Sequence, residues 1–220
     1  MRPTLAEASN SLKHRILYGI DSTKSDSKAA IKKARILGAA RAILHEKGHD
    51  AFSLRAVAKA SGFSPSGLYE HFKNKEAIRT ALADDAWNNL GKHLNRATQN
   101  VDDPIERLVV GCEAYIDYAA KNREDFLLIF SVLPSPRSSH ESSIPEGSGL
   151  AVFLRNVKAA AEAKLICANS EQEQINVVYG LWSTAHGMAH LHAVHLADFK
   201  ANFAESNRSV FIALIRGYAG

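Results

Sequence analysis

Two cysteines in 220 residues, Cys112 and Cys167, are too few for a disulfide framework. No apolar run approaches the roughly 20 residues of a membrane-spanning helix; Leu127-Leu128-Ile129-Phe130 is typical of the longest. The first residues, with Glu7, Asn10 and Ser11, lack the apolar core of a signal peptide. Thirteen glycines and six prolines exclude a collagen-like or low-complexity chain, and 23% charged residues is too low for a disordered one. What is present is 46% hydrophobic residues, enough for a real core. The expectation is a cytoplasmic protein of one compact domain or two small ones.

The net charge of +4 conceals an asymmetry. Residues 1–79 hold 15 Lys/Arg against 7 Asp/Glu, whereas residues 80–220 hold 12 against 16. A basic first third on an acidic remainder points to a polyanionic partner for the first part only.

Helical signals dominate, alanine is abundant and hairpin-bounded alternation is missing, so the expected class is all-α. Leu5, Ala8, Leu12, Ile16 and Ile20 have helical spacing, and residues 21–28 form a polar break. A helix is predicted over about 28–47, with Ile36/Leu37, Ala40 and Ile43/Leu44 as its apolar stripe and Gly48 as its stop. Two short helices follow, one capped by Ser53 and ending at Gly62, the next started by Ser64-Pro65 and reaching about Phe72. Asn74 caps a long helix to about Thr98. Capping boxes at Asp103–Glu106 and Ser170–Glu173 start helices reaching about Ala120 and Leu196. Further helices are expected over about 123–132, 150–168 and 204–218, with a Ser/Pro/Gly-rich mobile loop at 134–149.

The segment from Ser53 to Glu76 reads helix, tight turn, helix. Gly62 sits where the chain must reverse, and Leu54, Val57, Ala58 and Leu68 fill the space between the helices. Pro65, Ser66, Gly67, Tyr69 and His71 fall on the outer positions of the second helix, where small residues allow close approach to base edges. Ser53-x-Arg55-x-x-Ala58, Gly62-Phe63-Ser64 and Leu68-Tyr69-x-His71-Phe72-x-Asn74-Lys75-Glu76 together resemble the DNA-binding head of the TetR family of bacterial repressors. Ser53 replaces a common threonine and Phe63 a smaller aliphatic residue.

The resemblance, specific over about residues 30–80, implies roles. Tyr69 and His71 would reach phosphates, as would Ser53 through its hydroxyl and backbone N–H. Lys75 would add a charge contact, and Pro65, Ser66 and Gly67 would lie nearest the bases. Lys28, Lys32 and Lys33, with Arg35, would lie along the DNA backbone or minor groove. It further implies an extension over 1–27, a helix-turn-helix domain over 28–74 and a ligand-binding and dimerisation domain over 75–220. Trp182-x-x-x-His186-Gly187 resembles a Trp-His-Gly motif of one subgroup of such C-terminal domains.

The 171–196 helix is apolar on two sides. Ile175, Val178, Tyr179, Trp182 and His186 share one side; Val177, Leu181, Thr184, Met188 and Leu191 share another. One side would pack within the subunit, and the other would join the last helix in a two-fold dimer, with Leu181 and Leu191 as expected interface residues. Candidate ligand walls are Trp87, Tyr115, Phe130, Phe153, Tyr179 and Trp182, with Ser183 and His186 as sparse polar contacts. At 100° per residue, His186 and His190 share a face and His192 and His195 point away, so no metal or other cofactor is expected. Asp84/Asp85, Asp102/Asp103 and Glu124/Asp125 read as caps or solvated ends rather than paired catalytic acids, and no enzyme is expected. The reading is a dimeric repressor released from operator DNA by a small apolar or amphipathic effector. The alternatives are a metal-responsive regulator, an activator, or a ligand-independent architectural DNA binder.

Overall fold

The computed structural model describes residues 28–46, 48, 51–131, 147–196, 199 and 202–219. The expected helix near residues 5–20, the 1–27 extension and most of the 134–149 loop lie outside the described residues. All regular structure among the described residues is helical, and the chain divides into two units after Ile78.

In the first unit, α1 (28–46) buries Ile36, Ala40, Ile43 and Leu44, the stripe its spacing dictates. Gly48 closes the helix at φ +72°, and its N–H donates to the Leu44 carbonyl at 2.9 Å. The Ser53 hydroxyl caps α2 (Leu54–Ser61) by accepting from the Ala56 N–H at 3.2 Å. Gly62 then takes φ +71°, a left-handed conformation that glycine adopts without penalty, and the chain turns into α3 (Pro65–Tyr69). Helix α3 is shorter than its sequence pattern predicts. The Phe72 N–H still bonds the Leu68 carbonyl at 3.0 Å, which carries the chain round to Asn74. Asn74 caps α4 (Lys75–Thr98) through the Ala77 N–H at 2.8 Å.

The second unit comprises the rest of α4 together with α5 (Pro104–Lys121), α6 (Arg123–Ser131), α7 (Gly149–Glu162), α8 (Glu171–His190) and α9 (Ala204–Arg216). Helix α5 is buried nearly all round, with Leu108, Val109, Cys112, Tyr115, Ile116 and Ala119 inside one core shared with α7, α8 and α9. Burial pushes the Cys112 thiol far above its ordinary range and leaves it inert.

Local sequence signals yield to tertiary partners at three places and hold at a fourth. The Ser170 box forms fully. At α5 only half of one forms: the Asp103 carboxylate accepts from the Glu106 N–H at 2.8 Å, while the Glu106 carboxylate pairs with Arg208 of α9 at 2.6 Å. Arg208 also holds Glu113 at 3.0 Å, tying α5 to α9. Helix α7 ends six residues before its predicted limit of 168, because Lys164 adopts φ +57° and Ile166 and Ala168 then enter the core. Past His190, α8 widens into a π turn, Leu191–His195, whose Ala193 carbonyl accepts from Arg123 Nε at 2.6 Å.

Gly91 of α4 supports the residues that start α7. A Cβ built there would fall on the backbone carbonyl of Gly147. Gly91→Ala should therefore cost about 1–2 kcal/mol by overpacking, despite alanine's better helix propensity. Gly38→Ala in α1 meets nothing within 4 Å and should gain up to about 1 kcal/mol. Urea unfolding of the two variants checks this; equal signs for both would contradict the packing.

Candidate nucleic-acid interface and ligand cavity

The turn between α2 and α3 leaves one polar ridge in solvent. Ser53, Pro65, Ser66 and Tyr69 are exposed, Tyr69 by 55%, and Gly67 is half-buried. The Ser64 hydroxyl accepts from the Gly67 N–H at 3.0 Å and lies 3.0 Å from the Ser66 hydroxyl, fixing the first turn of α3. Leu68 and Phe72 point the other way into the core, so alternate positions are divided between packing and display.

The cations are arranged on the same unit. Lys28, Lys32, Lys33 and Arg35 stand exposed along α1, and Lys75 begins α4 with its ammonium 5.6 Å from the centre of the Phe52 ring. Phe63 has a packing role: the Arg35 guanidinium lies 5.5 Å over its ring and His71 meets it edge-on at 5.8 Å. His71 thus departs from the phosphate-reaching role the family pattern implies. Its Nε2 is buried without a hydrogen-bond partner, because the ring turns inward onto Phe63.

In the second unit a cavity of about 410 Å³ opens between α4, α5, α8 and the start of α7. Trp87, Tyr115, Phe153 and Trp182 of the expected wall residues line it. Asp84 and Asn88 join them from α4, as do Ser148, Gly149 and Leu150 from the start of α7. Asp84 reads in sequence as a solvated helix position, yet it precedes Trp87 and Asn88 by three and four residues and so shares their helix face. That spacing is the signal that locates it.

A hydrogen-bond chain runs from the inner wall to His186, which stands behind the lining residues rather than among them as expected. Trp182 Nε1 donates to the Tyr115 hydroxyl at 3.2 Å, and that hydroxyl lies 3.1 Å from His186 Nδ1. The Tyr115 side chain is buried, so its proton needs an acceptor, and Nδ1 supplies one when the ring proton is on Nε2. Burial, followed by the neighbouring His190, lowers the His186 pKa and favours this neutral form. Burial likewise holds the Tyr115 phenol well above its ordinary range, so it stays protonated.

The remaining expected wall residues lie elsewhere. Phe130 packs beside Trp87 at 5.3 Å and His186 at 4.3 Å, behind the wall rather than on it. Tyr179 is 68% exposed and Ser183 is exposed next to it. Both lie on the outer strip of α8, turned from the cavity by the rotation that buries Val178 and Leu181. Leu181 is fully buried within the subunit, which removes it from the expected interface, whereas Leu191 is 49% exposed. Ile175, Tyr179 and Leu191 on α8 and its π turn, with Val210 on α9, form the exposed apolar strip.

The histidines also depart from simple helical geometry. The wider π turn brings the His195 ring within 6.4 Å of His190, which itself lies 6.1 Å from His186, while His192 packs on Phe203 at 5.2 Å. Among the described residues no group of three His, Cys, Asp or Glu side chains is placed to hold a metal ion.

Comparison with known proteins follows this two-unit division. Residues 36–82 match the family model for bacterial regulatory proteins of the tetR family, and residues 108–217 match that for the tetracyclin repressor-like C-terminal domain. An uncharacterised HTH-type transcriptional regulator of Mycobacterium tuberculosis, Rv1255c, is 34% identical over 76 residues, 34% of this chain and 38% of that protein. The HTH-type transcriptional activator FasR of Mycolicibacterium smegmatis is 26% identical over 99 residues, 45% of each chain. The matched stretches thus span less than half the length of these relatives. A solved structure from Rhodococcus sp. RHA1, of unknown function, superposes with a TM-score of 0.70 at 24% identity, covering 86% of this chain and 96% of that one. With a helix-turn-helix head matched by one model and an all-helical remainder matched by the other, the chain belongs to the TetR family of bacterial transcriptional regulators, which are DNA-binding proteins and not enzymes.

Proposed function

We propose that this regulator is a dimeric repressor that binds a two-fold operator and releases it when a small amphipathic molecule fills the 410 Å³ cavity. The cavity is the observation that carries this reading. Its size is within the range of small-molecule sites, and its aromatic walls carry few polar groups. A ligand there touches α4, which continues from the DNA-binding head, and α8, which carries the exposed apolar strip. It shifts the operator equilibrium only by its differential affinity for the two dimer states. The FasR relative is named an activator. Activation by this chain would appear as operator binding retained or tightened when ligand is present. The same reading places its action at DNA in the cytoplasm; no helix among the described residues is long and apolar enough to cross a membrane.

The exposed ridge of α3 supports docking in a major groove, with Ser66 and Gly67 nearest the bases and Tyr69, Ser53 and Lys75 on phosphates. Lys28, Lys32 and Lys33 add charge along the flanking backbone. Tyr69→Ala and Lys75→Ala should each weaken binding across operator variants without unfolding the chain. Loss of Lys75 should also flatten the salt dependence by roughly one unit of slope. Operator titration over a salt series measures both; unchanged binding in both variants would remove this docking geometry.

The strip on α8 and α9 supports the dimer. Its apolar residues are interspersed with Ser183, Gly187 and Ala213, whose small side chains permit close helix approach. Tyr179→Glu and Leu191→Glu should convert dimer to monomer, because each would bury an unpaired charge at the contact while sparing the subunit core. Leu181→Glu should instead unfold the subunit. Light scattering alongside far-ultraviolet circular dichroism separates the two outcomes, and a wild-type monomer at micromolar concentration would refute the interface.

A further inference from the structure

The cavity has an electrostatic character as well as a shape. Among the described residues lining it, Asp84 is the sole charged side chain, and no cation among the described residues is paired with it. Trp87, Tyr115, Phe153 and Trp182 present ring surface, whose negative π faces attract cations. The polar hydrogens on the wall, from Asn88, Ser148, Tyr115 and Trp182, all belong to neutral groups, and the last two are engaged with each other or with His186. Trp182 Nε1–H goes to the Tyr115 hydroxyl, and that hydroxyl lies 3.1 Å from His186 Nδ1, which accepts its proton when the ring proton is on Nε2. Neutral His186 offers no compensating positive charge behind them. The one net charge among the described lining residues is therefore the Asp84 carboxylate, beside aromatic faces and neutral polar groups. The start of α7 and the Asn88 amide oppose this with neutral donors only; the Ser148 hydroxyl oxygen accepts the Ala151 N–H at 3.2 Å and its own O–H remains a donor.

From this pattern we infer that the effector is a lipophilic organic cation, with its apolar groups among the four aromatic rings and its positive charge within reach of Asp84. This deepens the effector reading and rests on it. A carboxylate-headed amphiphile of the same size finds no charged donor among the described lining residues and a like-charged carboxylate at the cavity edge.

The test uses the full chain and two ions of nearly the same shape, tetraphenylphosphonium and tetraphenylborate. The sequence contains two tryptophans, and Trp87 and Trp182 both line the cavity, so intrinsic fluorescence reports occupancy without a label. Tetraphenylphosphonium should give a saturable change at one site per chain. Tetraphenylborate should bind at least about tenfold more weakly. Asp84 is exposed, so Asp84→Asn should leave thermal unfolding unchanged while shrinking that gap several-fold. Borate binding as tightly as phosphonium, or an Asp84→Asn chain that keeps the whole gap, would overturn the proposal. Decanol, an uncharged amphiphile, separates the two levels of failure. If decanol alone changes the fluorescence and releases operator, the cation proposal falls and the effector reading stands. If neither ion nor decanol changes the fluorescence, both fall.

Discussion

The second unit depends on the burial of α5 among helices that each need it for a different reason. Because α5 is apolar nearly all round, α7, α8 and α9 can share one core with it, and their other faces are left for other work. Tyr115 sits in this contact and is the one α5 side chain on the cavity wall. Its hydroxyl takes a hydrogen bond from Trp182 and lies against His186, one helical turn further along α8. That chain is made at one rotation of α8 about its axis. The same rotation buries Val178 and Leu181, turns Trp182 to the cavity and leaves Tyr179 outside. Core, cavity and outer strip are thus three consequences of one helix orientation.

The fold was legible where the signal is local. Ser53, Gly62, Ser64-Pro65 and Asn74 act through neighbours three or four residues away, and the head adopts the geometry their spacing dictates. The Ser170 box is also closed by its own residues. Where a distant partner competes, local reading falls short. Glu106 abandons its box for Arg208, about a hundred residues away, and the π turn past His190 meets Arg123 of α6. Lys164 takes a left-handed conformation that nothing in a lysine announces, since the core positions of Ile166 and Ala168 decide it.

The candidate sites were legible to different depths for the same reason. The exposed ridge of α3 lies within one short motif, so its outward residues can be named from spacing; His71 departs, its ring meeting Phe63 edge-on. The cavity is assembled from four helices. Aromatic type alone selects Trp87, Tyr115, Phe153 and Trp182 correctly but also Tyr179, whose ring is apolar enough for a cavity and equally suited to an interface. Asp84 is invisible to a search for hydrophobic walls, although it gives the cavity its sign.

Sequence-specific binding to a two-fold operator is the proposal on which the dimer and effector readings both rest. A genome-wide binding map made with the purified protein tests it most directly. The expected result is a small set of bound promoters sharing an inverted repeat, with half-site centres one helical turn (~34–36 Å) or a multiple apart. Uniform, salt-labile coverage with no shared repeat would contradict it.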